Sequence, residues 1–478
     1  MMDSVQYKKL QNDHVSNLNG TTRFETILQV APIPFSTLLS LLAVPLLVSV
    51  RCGSRTAHFV KFSAEFCVLV LPITLTLTVF NDALHLVIIF LMLLVSLATY
   101  THTRNCHRTD YLNYLQELWV SKISCKNVPF VTMFRAITNL VTVLCILAVD
   151  FTIFPRKFAK TEYFGYSVMD VGVGLFCISN AIVSPEVRHA NNMTYNSSKY
   201  ILKSVISCLP LFVLGVARFF TLTNIEYQVH VTEYGVHWNF FLTLAFVKIF
   251  SSVIIYLIGY EYVGLLSVLV SFFHQCFLNA GVQDLVLSHN NTRSSFLTAN
   301  CEGLASLAGY LAIYFAGMYI GGIIRDTGSL FCDYVYLTLK LALGIVIMWE
   351  STILAEYYFG VSRRLANTGY VIWVLCVSLV FFEMFLFCSL AVHSIKMYTT
   401  KMTRQFEINY VPMLYDAVNF NGLACFLFAN ILTGVVNLCF YTLTFSKFSG
   451  IIMVILYMGT VCLSIATLYW KKIKLKFW

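Results

Sequence analysis

Charge is scarce in this chain. Only 12% of its 478 residues are Asp, Glu, Lys or Arg, where a soluble domain carries about a quarter. Polar stretches are short as well. The two longest run to about 30 residues, at the N-terminus and between the third and fourth apolar runs, too few to bury a core. No soluble catalytic domain is therefore expected. Residues 1–32 contain no signal-peptide apolar core. The fifteen cysteines include no CxxC pair and mostly fall inside apolar runs, where cysteine acts as a small hydrophobe. The eleven histidines show no HExxH and no metal-ligand spacing. These absences argue against a disulfide scaffold and a metal centre. The net charge of +9 is not a nucleic-acid signal, because the basic residues sit in loops between apolar runs.

What the chain has is apolar length. Its residues are 58% hydrophobic and its mean hydropathy is +0.75. Thirteen runs approach the roughly 20 residues that cross a bilayer as helix. They lie near 33–50, 62–80, 83–100, 133–150, 166–184, 203–222, 239–259, 264–282, 304–324, 336–355, 370–392, 418–438 and 449–469. The expected fold is an all-α polytopic membrane protein with about thirteen transmembrane helices. Pro45, Pro72 and Pro210 fall inside apolar runs, where neighbouring helices can satisfy the freed carbonyls.

The distribution of positive charge gives an orientation. With the N-terminus lumenal and the C-terminus cytosolic, 20 of the 32 Lys and Arg residues face the cytosol and 11 the lumen, leaving Lys248 within a span. The glycosylation sequons at Asn19 and Asn290 then fall in the lumen, and those at Asn192 and Asn196 in the cytosol. Lys474 and Lys476 near the C-terminus resemble a dilysine retrieval signal, or equally a basic anchor at a helix end.

The lumenal basic residues run against the bias, so they draw attention. Arg156, Lys157 and Lys160 share one short segment with Asp150, Pro155 and Glu162. Asp150 and Lys160 are ten residues apart and meet only if the Pro155 segment folds back. An interfacial ion pair fixing that turn is the simplest account of them. Arg363 and Arg364 lie in a second lumenal loop. Asp170 sits within the fifth run and needs a partner there. Glu233, His237 and Asn239 lead into the seventh run, and Asn300 and Glu302 into the ninth. His237 reads first as a hydrogen-bonded interfacial histidine, and Lys248 as snorkelling or paired with a carboxylate. Asn419, Asn421, Asn430 and Asn437 in the twelfth run read first as interhelical packing groups. Such polar convergence on one membrane face suits an anionic lipid, a phosphate-bearing co-substrate or a transported solute.

These residues carry a resemblance. Val149-Asp-Phe151, Phe154-Pro-Arg-Lys-Phe-Ala-Lys-Thr-Glu162, Met169-Asp-Val-Gly-Val-Gly174, Glu233-Tyr-Gly-Val-His-Trp-Asn239, Glu302-Gly303, Ser362-Arg-Arg364, Asn421-Gly-Leu423, Ala429-Asn430 and Leu432-Thr-Gly434 resemble, in order and spacing, the PIG-W inositol acyltransferases of GPI-anchor synthesis. The resemblance spans nearly the whole chain after the N-terminal tail. It departs at Lys157, where the family usually has arginine, and at Cys301, where it usually has a basic residue.

The resemblance implies a multi-pass enzyme of the endoplasmic reticulum membrane. It would move a fatty acyl chain, typically palmitoyl, from acyl-CoA to the inositol 2-hydroxyl of glucosaminyl-phosphatidylinositol. The family's catalytic pair falls on Asp150 and Lys160. Arg156, Lys157, Glu162, Asp170, His237, Asn239, Arg363 and Arg364 are then candidates for substrate and CoA binding. No cofactor is expected beyond acyl-CoA as co-substrate. No nucleic-acid partner is expected, and the oligomeric state is not legible. The division would be a lumenal tail over 1–32, a single transmembrane acyltransferase domain over 33–470 and a basic cytosolic tail over 471–478. The rival readings are a lipid or anion transporter and an acyltransferase with another acceptor. Neither an internal repeat nor a matched pair of broken helices supports transport.

Overall fold

The computed structural model describes residues 4–48, 54–104, 110–123, 127–189, 198–224, 231–288, 293–399 and 410–475. These residues are helical with short connections, and their only β-pairings are isolated bridges, Thr21 with Tyr166 and Lys122 with Leu330. Twelve helices are long and apolar enough to cross a membrane. Three of them, Pro129–Ala148, Cys301–Arg325 and Thr368–Thr399, are the most deeply buried and form the centre. Around them stand helices with bare apolar faces, such as Lys199–Phe220 with Leu202, Leu209, Val213 and Val216 exposed. A helix apolar on its outward face belongs against lipid.

The fifth apolar run departs from the rest. Only Val171–Ala181 is helical there, eleven residues. At 1.5 Å per residue that is about 16 Å, half of a hydrocarbon core of about 30 Å. Residues 149–170 ahead of it form an irregular loop with one 3-10 turn, Arg156–Phe158. The loop is packed inside protein: Phe151, Phe154, Phe158, Ser167 and Asp170 are all nearly inaccessible. Irregular backbone at membrane depth survives only when buried in protein or lining a cavity. This one is held by Thr21 N–H on Tyr166 O, Gly165 N–H on Val361 O, and Met169 N–H on Phe158 O.

Local rules explain the other interruptions. Pro72 follows a π-helical turn at Phe66–Val70, which absorbs its missing donor. Gly259, at φ +108°, ends Phe240–Ile258 and turns the chain at once into the next span. Gly309 lets Cys301–Arg325 touch the loop at Ala366, whose carbonyl oxygen would lie 1.9 Å from an added Cβ. The N-terminal segment is folded against the bundle. Its helix Ser4–Val15 reaches the chain's far end through Tyr7, whose hydroxyl lies 3.2 Å from Thr442 Oγ1.

Candidate active site

Loop 149–170 converges with three other connections, 231–239, 293–300 and 360–367. The turn at 360–367 is built around Asn367. Its Oδ1 accepts from Ser362 N and Tyr370 N, and its Nδ2 donates to the carbonyls of Phe359 and Gly360. Ser362 then donates to Tyr163 O at 2.6 Å, which ties this turn to loop 149–170. Arg363 is thereby aimed inward. Its Nε lies 2.9 Å from Asp170 Oδ1 and its Nη1 3.4 Å from Glu233 Oε1. Asp170 also accepts from the backbone and hydroxyl of Thr161. Asp170 thus has the partner its position demanded. Burial alone would lower the Arg363 pKa, but Glu233 and Asp170 hold the guanidinium firmly charged, above its ordinary range.

Lys160 sits at the open end of this cluster. Its Nζ lies 2.7 Å from Glu233 Oε1. Burial would raise the Glu233 pKa, but Lys160 and Arg363 pull it down to about 2. The expected ion pair between Asp150 and Lys160 is not what forms. Glu233, 73 residues further along the chain, takes the ammonium instead. Asp150 Oδ2 accepts from Asn437 Nδ2 at 2.7 Å, and Lys160 acts on this carboxylate only through space. Burial pushes the Asp150 carboxyl up to about 6 against the opposing pull of Asn437 and Lys160. A half-buried carboxylate with a pKa near 6, next to an anchored ammonium, suits a proton acceptor working near neutrality.

The remaining expected site residues fall elsewhere. Arg364 donates to the carbonyls of Glu162 and Val286, lies 3.5 Å from Glu302 Oε1, and stacks over Tyr163. Arg293 pairs with the same Glu302 oxygen at 2.7 Å. Arg156 donates to the carbonyls of Asp13 and Ser16, and Lys157 pairs with Glu25. Both line an open cavity of about 350 Å³ against the N-terminal segment. Glu162 accepts from Asn17 N. Asn239 is a helix N-cap, accepting from Phe241 N and Leu242 N. His237 has its ring between Phe219 and Phe296 and its backbone N–H on Asn300 Oδ1. Lys248 donates to Ser207 Oγ, not to a carboxylate. Asn19 is exposed, while Asn290, Asn192, Asn196 and Lys476 lie outside the described residues.

Two participants were undervalued in the sequence. Asn437 was grouped with three other asparagines as packing, yet it alone reaches Asp150. Asn430 bonds within its own helix, and Asn421 bonds to the backbone of Ile473 and Leu475. Glu233 was visible only as part of a motif. Its position between Thr232 and Tyr234 carries no local cue that it faces Lys160.

A model of the GWT1 family matches residues 7–468. The chain is 30% identical over 502 residues to the glucosaminyl-phosphatidylinositol-acyltransferase PIGW of Homo sapiens, covering 98% of this chain and 99% of that one. It is 30% identical to the phosphatidylinositol-glycan biosynthesis class W protein of Dictyostelium discoideum, with 99% of each covered. It is 36% identical to the GPI-anchored wall transfer protein 1 of Candida glabrata, over 75% of this chain and 77% of that one.

Proposed function

The chain belongs to the GWT1 family, and from that premise we propose that it acylates the inositol of glucosaminyl-phosphatidylinositol during GPI-anchor synthesis, using acyl-CoA as donor. The endoplasmic reticulum membrane is the setting this reading requires, and a lumenal N-terminus with a cytosolic C-terminus further requires residues 149–181 to make a thirteenth crossing beside the twelve long helices. The observation that carries the chemistry is a raised carboxyl, Asp150, under the through-space influence of an ammonium, Lys160, that a different carboxylate anchors.

In the reaction the inositol 2-hydroxyl oxygen attacks the thioester carbonyl carbon. Asp150 takes the hydroxyl proton as the C–O bond forms. Lys160 is the group assigned to stabilise the developing oxyanion. The C–S bond then breaks, and CoA leaves as the thiol after recovering a proton. Transfer is direct, without an acyl-enzyme. The position of Lys160 on Glu233 favours the oxyanion role over that of orienting Asp150, because no hydrogen bond joins the two among the described residues. Arg363 is committed to Asp170 and Glu233, which makes it a scaffold for the site and not a phosphate ligand. Family membership also favours acyl transfer over transport.

The test uses purified protein, labelled palmitoyl-CoA and glucosaminyl-phosphatidylinositol in micelles. An alkali-resistant inositol-acylated product is expected, lost in Asp150→Asn and strongly reduced but still measurable in Lys160→Ala. Product at wild-type rates in both variants would refute the mechanism, and no product from the wild type would refute the function.

A further inference from the structure

We propose that Glu233 is the positioning residue of Lys160: it draws the ammonium off Asp150 and fixes it, so that base and oxyanion partner stay separate. This rests on the acyl-transfer reading above. The contacts form a closed ring. Lys160 bonds Glu233, Glu233 holds Arg363, Arg363 holds Asp170, and Asp170 accepts from Thr161, the residue next to Lys160. Charges alternate around it, two positive and two negative, so the ring is neutral in itself. Side-chain exposure rises along it from 3% at Asp170 through 5% at Arg363 and 20% at Glu233 to 39% at Lys160. The buried end is a fixed anchor, and the accessible end is the one group free to meet a substrate.

The alternative arrangement shows what Glu233 prevents. An ammonium lacking this partner has Asp150 as a nearby anion, and it already acts on Asp150 through space. A direct pair would occupy both reactive groups and weaken the base. Glu233 is itself held in place by a dedicated segment. Its short helix Val231–Tyr234 ends at Gly235, φ +112°, where an added Cβ would lie 2.5 Å from Asn300 Cα. Val236 N donates to Ala299 O, and Asn300 Oδ1 accepts from the backbone of His237 and Trp238. The motif around His237 thus serves to present Glu233.

The experiment is a double-mutant cycle on the purified protein with palmitoyl-CoA and glucosaminyl-phosphatidylinositol. Displacement of a reacting group by about 1 Å can cost about 100-fold. Glu233→Gln should therefore lose at least about tenfold in kcat, with the KM of both substrates little changed. In a Lys160→Ala background the same change should cost nothing further, because Glu233 acts through Lys160. Glu233→Asp keeps the negative charge in the ring while drawing the shared oxygen back from both Lys160 and Arg363. It should melt like the wild type, with kcat between wild type and Glu233→Gln. A loss that persists in the Lys160→Ala background, a rise in KM at constant kcat, or full activity in both Glu233 variants would each overturn the inference while wild-type turnover stands. Absence of wild-type product would instead remove the acyl-transfer reading beneath it.

Discussion

Replacing Asn437 by leucine should move the acid limb of the enzyme's pH profile upward. Asn437 donates to Asp150 Oδ2 at 2.7 Å and opposes the burial that raises this carboxyl to about 6. A hydrogen bond to a charged group contributes about 1.5–3 kcal/mol. Each pH unit corresponds to about 1.4 kcal/mol. Asp150 is only half-buried, so water recovers part of the lost bond, and a shift of about one pH unit is expected. Leucine keeps the approximate size of the amide and removes its donor. The base must be ionised to act, so a higher pKa means less activity on the acid side. With the midpoint moving from near 6 to near 7, the ionised fraction at pH 6 falls from about a half to about a tenth. Activity at pH 6 should drop about fivefold and recover to near wild type by about pH 8.5. Initial rates of kcat/KM from about pH 5 to 8.5 report this limb for the free enzyme. A limb that stays in place, or moves down, would refute Asp150 as the base supported by Asn437. So would a uniform loss at every pH.

Three further outcomes are expected. Arg363→Met strands Asp170 in the interior with no cation beside it, only the neutral donors Thr161 and Ser167, and should cost about 3–5 kcal/mol, read as a lowered melting temperature in detergent; Arg363→Lys should recover less than half, since one ammonium cannot span Asp170 and Glu233 as the guanidinium does. Gly309→Ala drives a methyl against the Ala366 carbonyl and should reduce both melting temperature and turnover, by about 1–3 kcal/mol in stability; Gly434→Ala, with nothing within 4 Å of the added carbon, is the silent control. Wild-type protein should gain gel mobility on enzymatic deglycosylation and the Asn19→Gln, Asn290→Gln double variant should not, whereas modification at Asn192 or Asn196 would reverse the assigned orientation.

The membrane spans were legible because hydropathy is local. A run of apolar residues is readable wherever it lies, and twelve of the thirteen runs became full-length helices. The fifth run was misleading for the same reason. Its composition suits a span, but Asp170 is drawn to Arg363, 193 residues away, and the backbone before it stays irregular to reach that partner. The site followed the same rule. Asp150 and Lys160 are visible as polar residues breaking a pattern, but their actual partners, Asn437 and Glu233, come from a remote spanning helix and a remote short helix. Nearest-in-sequence pairing therefore joined Asp150 to Lys160, and tertiary packing reassigned both. Arg156 and Lys157, candidates for substrate and CoA binding through the resemblance, engage the N-terminal segment, which lies too far away in sequence to be foreseen.

The ends of the chain meet at this site, and that fixes when it can come into being. Tyr7 reaches Thr442 across 435 residues, His14 lies 3.3 Å from the Val149 carbonyl beside Asp150, and Asp150 waits for Asn437. A chain inserted helix by helix into a bilayer exposes loop 149–170 long before Asn437 has been made. Until then the carboxylate lacks its donor, and the first helix lacks its dock at 441–443. A nascent chain stalled short of Gly422–Cys439 would thus carry nearly every residue of the site and remain unassembled. The order of synthesis itself keeps the reactive pair idle until the last helices are in place.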